Sequence, residues 1–494
     1  MSTPPGLPAL LHPLVRAYLA DPHALAEAVR RHCTPLHLLF PQVYLDNVRR
    51  VQAVLRRHRL HTRICYAHKV NRSRALLVTA HRAGIAVDVA SAPELAAAYG
   101  AGFDASAIEV TGPKGRRLLT AVAGTGATVN VDNPWELSEL VALADPAAPV
   151  PVLLRLSGFP GPGGRAAVSR FGIAPDEVEP LLAMIAAHRD RITLRGFAFH
   201  LDSGEITDRV RAVEACLEWI ERAHRYGSAP TVLDIGGGLR QVFTADADRF
   251  DHYTRALRDS LLGHGEPMSW AANTFGYHLD DTGAHGTPVF HKYGNTVSAP
   301  RMLDDLLSAP LHAHGGRPLA RVLADNLLEL WCEPGKALVD HAGITVAGVE
   351  FVKRAADGSL LVTVDIGRDT VTPADQEVMV DPLLLPGPDS GPAGPGDGPV
   401  GVFIAGHLCL ERDLISNHKV WLPRLPQPGD LLVFPNTGAY HMDLSAARAS
   451  MHPLPPKFAV TYRDGFQLCP DADFRPDPVP AGDDPAVAAL SGRP

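Results

Sequence analysis

The chain has 494 residues, of which 46% are hydrophobic and 20% are charged, and its formal net charge is −8. This balance is typical of a globular protein with two or three domains, or with one large α/β barrel and a smaller unit. Because the sequence has no long lysine- or arginine-rich face to contact phosphates, the composition argues against a nucleic-acid-binding protein.

The cysteines form no CxxC pair; they are Cys33, Cys65, Cys216, Cys332, Cys409 and Cys469. This spacing argues against a structural zinc site and against a disulfide scaffold, so we expect no metal and a reducing compartment. The first residues lack the pattern of a signal peptide, and no apolar run is long enough for a transmembrane helix. We therefore expect a cytoplasmic protein without nucleic-acid or membrane partners.

From residue 35 to residue 335, short apolar runs alternate with amphipathic stretches, which predicts parallel strands joined by helices. The predicted strands are LHLLF, ICYAHK, IAVDVAS, AIEVTG, TVNVDN, PVLLRLS, LRGFAFHLDSG, TVLDIGGG and LELWCEPG. The number of repeats favours a closed (β/α)₈ barrel over an open doubly wound sheet. Residues 264–325 separate two predicted strands by more than one helix, which predicts an insertion.

The alternation ends near residue 336, and residues 336–466 are β-rich with turns between the strands, which predicts a C-terminal β-domain of the sandwich or barrel type. We expect residues 1–34 to form an N-terminal segment that contributes to this β-domain. Residues 467–494 are rich in Pro, Asp and Ala, which predicts a disordered tail. The fold class expected is thus α/β plus all-β, with the barrel first.

Polar residues at the ends of barrel strands are candidate site residues, because the chemistry of this fold lies there. Lys69 ends ICYAHK. It is either a surface lysine that snorkels outward or a Schiff-base lysine whose pKa burial would lower. His200 ends another strand, with Ser203 close behind it. It is either a core histidine or a flat ring beside a planar, phosphorylated ligand.

Two further strand ends carry glycines and a carboxylate. Gly236, Gly237 and Gly238 follow TVLDI. They form either a simple tight turn or a phosphate site that opens a helix, where backbone N–H groups point at an anion. Glu333 precedes a Pro-Gly turn and is either an ion-pair or cap residue or the partner of a ring nitrogen.

Together these groups match the requirements of one cofactor, pyridoxal 5′-phosphate. The amine holds the aldehyde, the imidazole stacks on the ring, the glycines hold the phosphate and the carboxylate faces the pyridine nitrogen. Each signal is weak alone, and their order on successive strands makes the combination specific.

The motifs also resemble those of a known family. YAHK, DVASAPEL, LLRLS, SRFGI, FHLDSG, IGGG and EPGK are similar to segments of the alanine-racemase-like (fold-type III) pyridoxal-phosphate enzymes, in particular the diaminopimelate, ornithine and arginine decarboxylases. The resemblance runs from about residue 35 to residue 465 and implies that Lys69 forms the internal aldimine. The other cofactor contacts that it implies are Asp88, Arg155, His200, Ser203, Gly236, Gly237, Gly238, Glu333, Gly335, Lys336 and Tyr440.

Two segments of the predicted β-domain extend the resemblance. NTGAY resembles the family's N-A-G-A-Y, which implies that Tyr440 contacts the phosphate or the substrate. GHLCLERD resembles G-P-x-C-x-x-x-D, whose cysteine reaches across a homodimer interface into the partner's site. The resemblance therefore implies a homodimer with shared active sites, in which Cys409 is the proton donor.

Three departures from the family pattern bear on the substrate. The arginine of EPGR is Lys336 here, a point charge in place of a bidentate fork. Leu410 stands where diaminopimelate decarboxylases have a glutamate, and the segment after VDIG lacks an arginine before proline. These changes argue against meso-diaminopimelate. The candidate substrate contacts are Asp365, Glu411, Asp413 and Tyr440.

The expected function is α-decarboxylation of an amino acid through the Lys69 aldimine and a quinonoid intermediate. Glu333 keeps the ring nitrogen protonated, and Cys409 returns a proton to the α-carbon. An amino-acid racemase or epimerase on the same fold and a non-catalytic pyridoxal-phosphate-binding protein are the alternatives. The predicted insertion is either a substrate-recognition surface or an interaction flap, and its candidate residues are Trp270, Tyr277, His278, His291 and Tyr293.

Overall fold

The structure, a computed structural model, describes residues 5–159, 169–372, 378–391 and 398–476. The chain begins with helices α1 (Pro13–Ala20) and α2 (Ala24–His32), strand β1 (Leu36–Leu39) and helix α3 (Pro41–Arg57). The apolar face of α1 is buried, with the Tyr18 ring in edge contact with Phe40 and Phe466. The first helix therefore packs against both β1 and the last strands of the chain.

Strands and helices then alternate through seven strands of the barrel. They are β2 (Thr62–Ala67), α4 (Arg74–Arg82), β3 (Ala86–Val89), α5 (Ala92–Gly100), β4 (Ile108–Val110), α6 (Arg116–Val122), β5 (Thr128–Val131), α7 (Pro134–Leu143), β6 (Val150–Arg155), α8 (Pro175–Ala187), β7 (Ile192–Ala198), α9 (Ile206–Arg225) and β8 (Val232–Asp234). The strands are apolar along most of their length because one face lies against the helices and the other fills the interior.

Local sequence signals set the ends of these helices. In α5 the Ser91 hydroxyl accepts a hydrogen bond from the Glu94 N–H at 3.3 Å, and the Glu94 carboxylate accepts one from the Ala90 N–H at 2.6 Å. This reciprocal cap satisfies N–H groups that have no partner within the helix. Gly102 follows the helix with φ of 101°, as a helix end favours.

The segment after β8 differs from the predicted insertion. Its elements are α10 (Ala247–Leu261), β9 (His278–Asp280), β10 (Gly283–His285), α11 (Ala299–Ser308), β11 (Pro310–Leu311), β12 (Arg317–Pro318), α12 (Leu319–Asp325) and β13 (Glu329–Cys332). The predicted insertion at 264–325 is wrong at its end, because α11 and α12 bury Leu303, Leu306 and Leu323 in the main core of the barrel. We use "the insertion" below as a name for residues 240–297, the whole segment between β8 and α11 that includes α10; residues 264–297 are the part that the sequence predicts to be inserted.

Strand β13 closes the barrel by pairing in parallel with both β2 and β8. The predicted (β/α)₈ barrel is thus confirmed as a closed barrel of eight parallel strands. The run LHLLF was expected to be a barrel strand, and this expectation is wrong. As β1, it pairs antiparallel with β14 and parallel with β20 of the second domain. An apolar run alone does not reveal which sheet offers it partners.

The second domain contains a mostly antiparallel sheet. Its strands are β14 (Gly343–Arg354), β15 (Leu360–Val364), β16 (Leu383–Leu385), β17 (Val400–Ala405), β18 (Leu414–Leu422), β19 (Leu431–Phe434), β20 (Lys457–Tyr462) and β21 (Phe466–Pro470). They form one nine-stranded sheet with β1, in the order β18-β17-β15-β14-β1-β20-β21, while β19 pairs with β14 and β16. The predicted C-terminal β-domain is confirmed, and it takes one strand from the N-terminal part of the chain.

The predicted tail at 467–494 is ordered over its first part. Residues 467–470 belong to β21, and Asp471 accepts hydrogen bonds from Ser73 and from the N–H of Ala75, the latter at 3.0 Å. This carboxylate therefore caps the start of α4. The remainder of the predicted tail, from residue 477, lies outside the described residues. Within the described ranges, no helix is long and apolar enough to cross a membrane.

Candidate active site

A cavity of about 910 Å³ lies at the carboxyl ends of the barrel strands. The barrel, the insertion and the second domain all contribute to its walls. Of the predicted site residues, those that line it are Lys69, His200, Gly238, Glu333, Gly335, Lys336 and Tyr440. Asp88, Gly236 and Gly237 lie directly behind lining residues, so the barrel part of the predicted site is brought together.

Lys69 lies in a single helical turn (His68–Val70) directly after β2. Its ammonium is 3.5 Å from the Asp88 carboxylate, which is almost fully buried at the end of β3 and also accepts a hydrogen bond from Thr111. Asp88 raises the pKa of Lys69 above its ordinary value, and this effect exceeds the opposing effect of burial. The expected net lowering of the pKa of Lys69 is therefore wrong, because the charge of Asp88 outweighs the effect of burial.

His200, directly beyond β7, is a neutral imidazole. Burial, followed by the positive charge of Lys69, lowers its pKa to about 3. Its Nδ1 accepts a hydrogen bond from the Gly237 N–H at 3.2 Å, so the ring proton resides on Nε2. The interpretation of His200 as a ring beside the ligand agrees with this position, because the hydrogen bond fixes the ring at the cavity wall.

Glu333 is the cavity-facing member of a group of buried acids. One oxygen each of Glu109, Asp234 and Glu333 lie within 4.8 Å of one another, and Asn130 donates to Glu109 at 3.0 Å and to Glu333 at 3.2 Å. Burial, together with neighbouring carboxylates, raises the pKa values of all three acids. Three buried carboxylates at this spacing cannot all remain ionised without a cation. A cationic ligand group beside Glu333 would stabilise its charged form.

The three glycines after β8 form a turn and do not open a helix, contrary to the expectation, since the next helix begins at Ala247. Gly236 and Gly238 have φ of 64° and 74°. A Cβ atom on Gly238 would lie 2.0 Å from the Leu201 carbonyl oxygen, and one on Gly237 would lie 2.6 Å from the Glu333 carbonyl oxygen. Only glycine permits this close approach of three backbone segments at the cavity.

Arg155 and Gly335 occupy supporting positions. Arg155, at the end of β6, is 3.6 Å from the Asp132 carboxylate and lies over the Phe171 ring at 4.7 Å. Asp132 also accepts a hydrogen bond from the Gly172 N–H at 3.0 Å. The arginine is thus held by the segment SRFGI, which the sequence singles out, and Gly335 lines the cavity beside Lys69.

Tyr440 brings the second domain to the barrel. It lies in the loop after β19 with φ of 65°, and its N–H donates to the Val70 carbonyl at 2.8 Å, next to Lys69. Burial raises the pKa of its phenol, so the hydroxyl stays protonated. The motif NTGAY therefore places a hydrogen-bonding hydroxyl at the cavity wall.

One group of charges at the cavity was missed by sequence reasoning. Asp202 accepts hydrogen bonds from Lys336 at 2.7 Å and from Lys292 of the insertion. Although burial opposes the effect, Lys336 and Lys292 lower the pKa of Asp202 to about 2. The signal was present, because Asp202 takes the glycine position of the family's H-x-G-S pattern. This bridge fastens the insertion to the barrel.

The insertion lines one end of the cavity with both aromatic and polar side chains, among them Phe290 and Asn295. Phe243 and Tyr293 stack with ring centroids 4.1 Å apart, and Val289 is exposed there. Of the insertion residues singled out in the sequence, His291 and Tyr293 line the cavity. Trp270 packs against Phe403 of the second domain instead.

Several predicted site residues do not line the cavity: Asp88, Arg155, Ser203, Gly236, Gly237, Asp365, Cys409, Glu411 and Asp413. The Ser203 hydroxyl donates to Asp208 at 2.6 Å, and Asp365 accepts from the Gly348 N–H at 2.8 Å. Asp413 accepts from the N–H groups of Arg368 at 2.6 Å and Leu408 at 2.7 Å. These carboxylates organise loops of the second domain.

Cys409 is exposed on the loop that Asp413 organises. Its neighbour Leu410 is also exposed. In contrast, Arg368, which lies in the turn after β15 and donates its N–H to Asp413, lines the cavity, although the sequence analysis found no arginine for this wall. The thiol therefore faces outward from its own chain.

The residues that surround the cavity fit pyridoxal 5′-phosphate. Lys69 supplies an amine for the aldehyde, and the neutral ring of His200 offers an uncharged face. Glu333 is a buried acid whose charged form needs a cation, which a pyridinium nitrogen provides. The glycine turn leaves space for an anion, and a Cβ atom on these glycines would reduce this space.

A closed parallel barrel with an amine, a neutral imidazole and a buried acid at one cavity is the arrangement expected of an enzyme that binds an aldehyde cofactor. The profile of the family described as "Pyridoxal-dependent decarboxylase, pyridoxal binding domain" matches residues 45–268. The chain belongs to the fold-type III family of pyridoxal-dependent decarboxylases, and pyridoxal phosphate is its cofactor. The expected class, a pyridoxal-phosphate-dependent lyase, is confirmed at the level of the family.

Relatives match along nearly the whole chain. A protein of Sinorhizobium fredii named uncharacterized protein y4yA is 34% identical over 484 residues, with 96% of each chain covered. The diaminopimelate decarboxylase of Deinococcus radiodurans is 25% identical over 452 residues, covering 90% of this chain and 94% of its own.

Solved structures share the fold at lower identity. A diaminopimelate decarboxylase from M. jannaschii in complex with L-lysine has a TM-score of 0.65 at 17% identity, covering 90% of this chain and 91% of its own. An arginine decarboxylase from Paramecium bursaria Chlorella virus bound to agmatine has a TM-score of 0.62 at 20% identity, covering 88% and 98%.

The Lys69–Asp88 pair predicts how cofactor attachment depends on pH. Lys69 must lose a proton before its amine attacks an aldehyde, and Asp88 holds that proton in place. Asp88→Asn removes the charge that raises the pKa of Lys69, so we expect the pH profile of the attachment rate to move down by about one to three pH units. The rate is measured on cofactor-free protein by borohydride trapping and peptide mass spectrometry.

Asp145→Asn is the matched control for this variant. The Asp145 carboxylate binds the Ala147 N–H at 2.9 Å in the exposed loop before β6 and does not line the cavity. Its profile should follow that of the wild type. An Asp88→Asn profile that coincides with the wild type would show that Asp88 does not set the protonation of Lys69.

Proposed function

We propose that the protein decarboxylates the α-carbon of an amino acid, with Lys69 as the cofactor-binding lysine and Cys409 of a second copy as the proton donor. The observation that carries the proposal is the position of Lys69, in contact with buried Asp88 at the mouth of the barrel and within the same cavity as His200 and Glu333. Bound pyridoxal phosphate supplies the electron sink for the reaction.

The chain's own residues hold the reacting groups in place. Glu333 keeps a proton at the ring nitrogen, since a buried acid and a cation stabilise each other. His200 stays neutral and presents its ring face, because the Gly237 N–H occupies its Nδ1. The α-carboxylate leaves as carbon dioxide when its bond to the α-carbon breaks.

A proton must then reach the α-carbon. In the proposed step the thiol of Cys409 gives its proton as the new C–H bond forms, and the thiolate regains a proton from solvent. Cys409 is exposed and does not line the cavity of its own chain. This arrangement favours delivery of the thiol to a neighbouring copy, and hence a homodimer with shared sites.

The substrate side chain is proposed to reach the insertion. The polar groups of this wall form bonds within the protein: Asn295 donates to the carbonyls of Gln241 and Val297, and Asp202 binds two lysines. The wall also presents Arg240, Asp251, Asn273 and His291 beside its aromatic and aliphatic side chains. Asp365 and Asp413 are committed to backbone N–H groups, so they are no longer proposed as contacts for a distal amine within the same chain.

A racemase or epimerase on the same fold is the second candidate. It requires an acid/base on the face opposite Lys69, which a thiol from a second copy could also provide. A non-catalytic carrier is the less favoured alternative. Tyr440 of the second domain and residues of the insertion both line the cavity that contains Lys69, and a carrier would not need these additions to the barrel. The two enzymatic reactions differ in whether carbon dioxide is released.

We expect the wild-type protein, incubated with a panel of amino acids in deuterium oxide, to release carbon dioxide and to incorporate one deuterium at the α-carbon of the amine product. Lys69→Ala should lower the release by at least about a thousandfold, because the covalent anchor is lost. Deuterium exchange without release would identify a racemase. Bound cofactor with neither event would support a carrier, and a cofactor attached at another lysine would overturn the site.

The shared site predicts complementation between two impaired variants. Lys69→Ala should be nearly inactive in decarboxylation alone, and Cys409→Ala should form the normal amine product slowly or divert it. Dimers mixed from the two contain one site with both native residues, so random mixing should restore about a quarter of the wild-type activity. The measurement is activity after co-refolding or co-expression. No recovery would contradict a site built from two chains, and a fully active Cys409→Ala variant would remove the thiol from the reaction.

Recognition by the insertion predicts a selective effect at Val289, which is 56% exposed and lines the cavity. We expect Val289→Arg to raise KM for the best substrate about tenfold while kcat and cofactor content change little, since substrate binding alone is affected. Val297→Arg is the control, because Val297 lies in the same insertion, is 40% exposed and does not line the cavity. Equal effects of the two variants would favour the interaction-flap hypothesis.

A further inference from the structure

The buried arginine Arg209 lies directly behind the glycine turn. It belongs to helix α9 and is completely buried. Its Nη2 donates to the carbonyl of Leu201 at 2.6 Å and to the carbonyl of Gly237 at 2.9 Å. Its Nη1 lies 3.4 Å from the carbonyl of Ile235. One guanidinium thus joins the segment after His200 to the turn after β8.

This cation has no counter-ion in the part of the chain that the structure describes. No carboxylate there lies within ion-pair distance of Arg209, and its Nε is buried without a hydrogen-bond partner. Burial lowers its pKa to about 10, which leaves it charged at neutral pH. The negative charge of Asp202 raises the pKa of Arg209 in part, but this carboxylate already forms ion pairs with Lys292 and Lys336. A buried charge without a partner is unfavourable and calls for a compensating anion.

The geometry of the peptide units shows on which side that anion belongs. In a trans peptide the C=O and the N–H point in opposite directions. Because the carbonyls of Leu201 and Gly237 point at Arg209, the N–H groups of Asp202 and Gly238 point away from it. Within the described ranges, neither of these two N–H groups donates a hydrogen bond to the protein. Both Asp202 and Gly238 line the cavity.

We propose that Arg209 is the buried counter-ion of the cofactor phosphate, which it binds indirectly by turning the Asp202 and Gly238 N–H groups toward the cavity. The phosphate carries close to two negative charges at neutral pH. Arg209 attracts it through the thin wall of the glycine turn, where a Cβ atom on Gly238 would lie 2.6 Å from the guanidinium. Arg209 is a positioning residue, and the proposal rests on the cofactor site proposed above.

A merely structural Arg209 would give a different result from a counter-ion. Loss of a structural arginine would weaken all cofactor forms alike, because it would distort the whole wall. Loss of a counter-ion would weaken only the ligand that carries phosphate. Pyridoxal 5′-phosphate and pyridoxal differ in that group alone, so the ratio of their dissociation constants isolates the effect.

The test compares both ligands by equilibrium dialysis against the full-length chain freed of cofactor. In Arg209→Met we expect pyridoxal 5′-phosphate to bind at least about tenfold more weakly, with pyridoxal affected less than about twofold, because only the charged group loses its partner. Arg222→Met is the control, since Arg222 lies at the far end of the same helix in an exposed ion pair with Glu218. Equal weakening of both ligands would overturn the proposal.

Arg209→Lys decides the question if the methionine variant fails to fold. It keeps a positive charge, but a buried lysine loses its proton far more readily than an arginine does. The preference for pyridoxal 5′-phosphate over pyridoxal should therefore fall between pH 6 and pH 9 in the lysine variant relative to the wild type. A preference that follows the wild type across this range would overturn the counter-ion role. Failure of the wild type to bind either ligand would instead overturn the cofactor site itself.

Discussion

Closure of the parallel barrel is the constraint on which the rest of the site depends. When β13 pairs with both β2 and β8, the ends of all eight strands surround one opening. Acidic side chains from β3, β4 and β8 are then buried close together, and Lys69 is the amine nearest to them. The resulting electrostatics raise the pKa of Lys69 and of Glu333 in the same cavity. The cavity thus offers the amine of Lys69 and a buried acid, Glu333, whose charged form needs a cation. A pyridine aldehyde suits both, because its aldehyde carbon can bond to the amine and its ring nitrogen can carry the positive charge.

Two additions adapt this barrel. The second domain contributes Tyr440 through a loop whose backbone bonds to Val70, beside Lys69. The insertion covers another part of the cavity and is held by the bridge from Lys292 through Asp202 to Lys336. The barrel supplies the groups that hold the cofactor, while the additions determine what else enters the cavity. This division of roles is typical of (β/α)₈ barrels, in which strand ends carry the reactive groups and the loops determine which substrate binds.

The sequence predicted the barrel and its strand ends well, because period, glycine and proline signals are local. Lys69, His200, Glu333 and the glycines could be found in this way. The sheet that β1 joins could not, since its partners are hundreds of residues away. Strand β18 has a weak sequence signal because Asn417, His418 and Lys419 interrupt its apolar pattern, although His418 and Lys419 are buried by contacts from the insertion. The roles of Asp202 and Arg209 depend on long-range charges and on carbonyl directions, which a sequence pattern does not contain.

The position of β1 has a consequence for how the chain folds. This strand, near the start of the chain, lies between β14 and β20 in the centre of the second sheet. The helix that follows it, α3, packs on the barrel. Neither unit is therefore a separable fragment: a barrel expressed alone would leave β1 without partners, and a β-domain expressed alone would have a gap in its middle. The two units must therefore fold together, and the cavity between them forms only after the C-terminal strands have been synthesised.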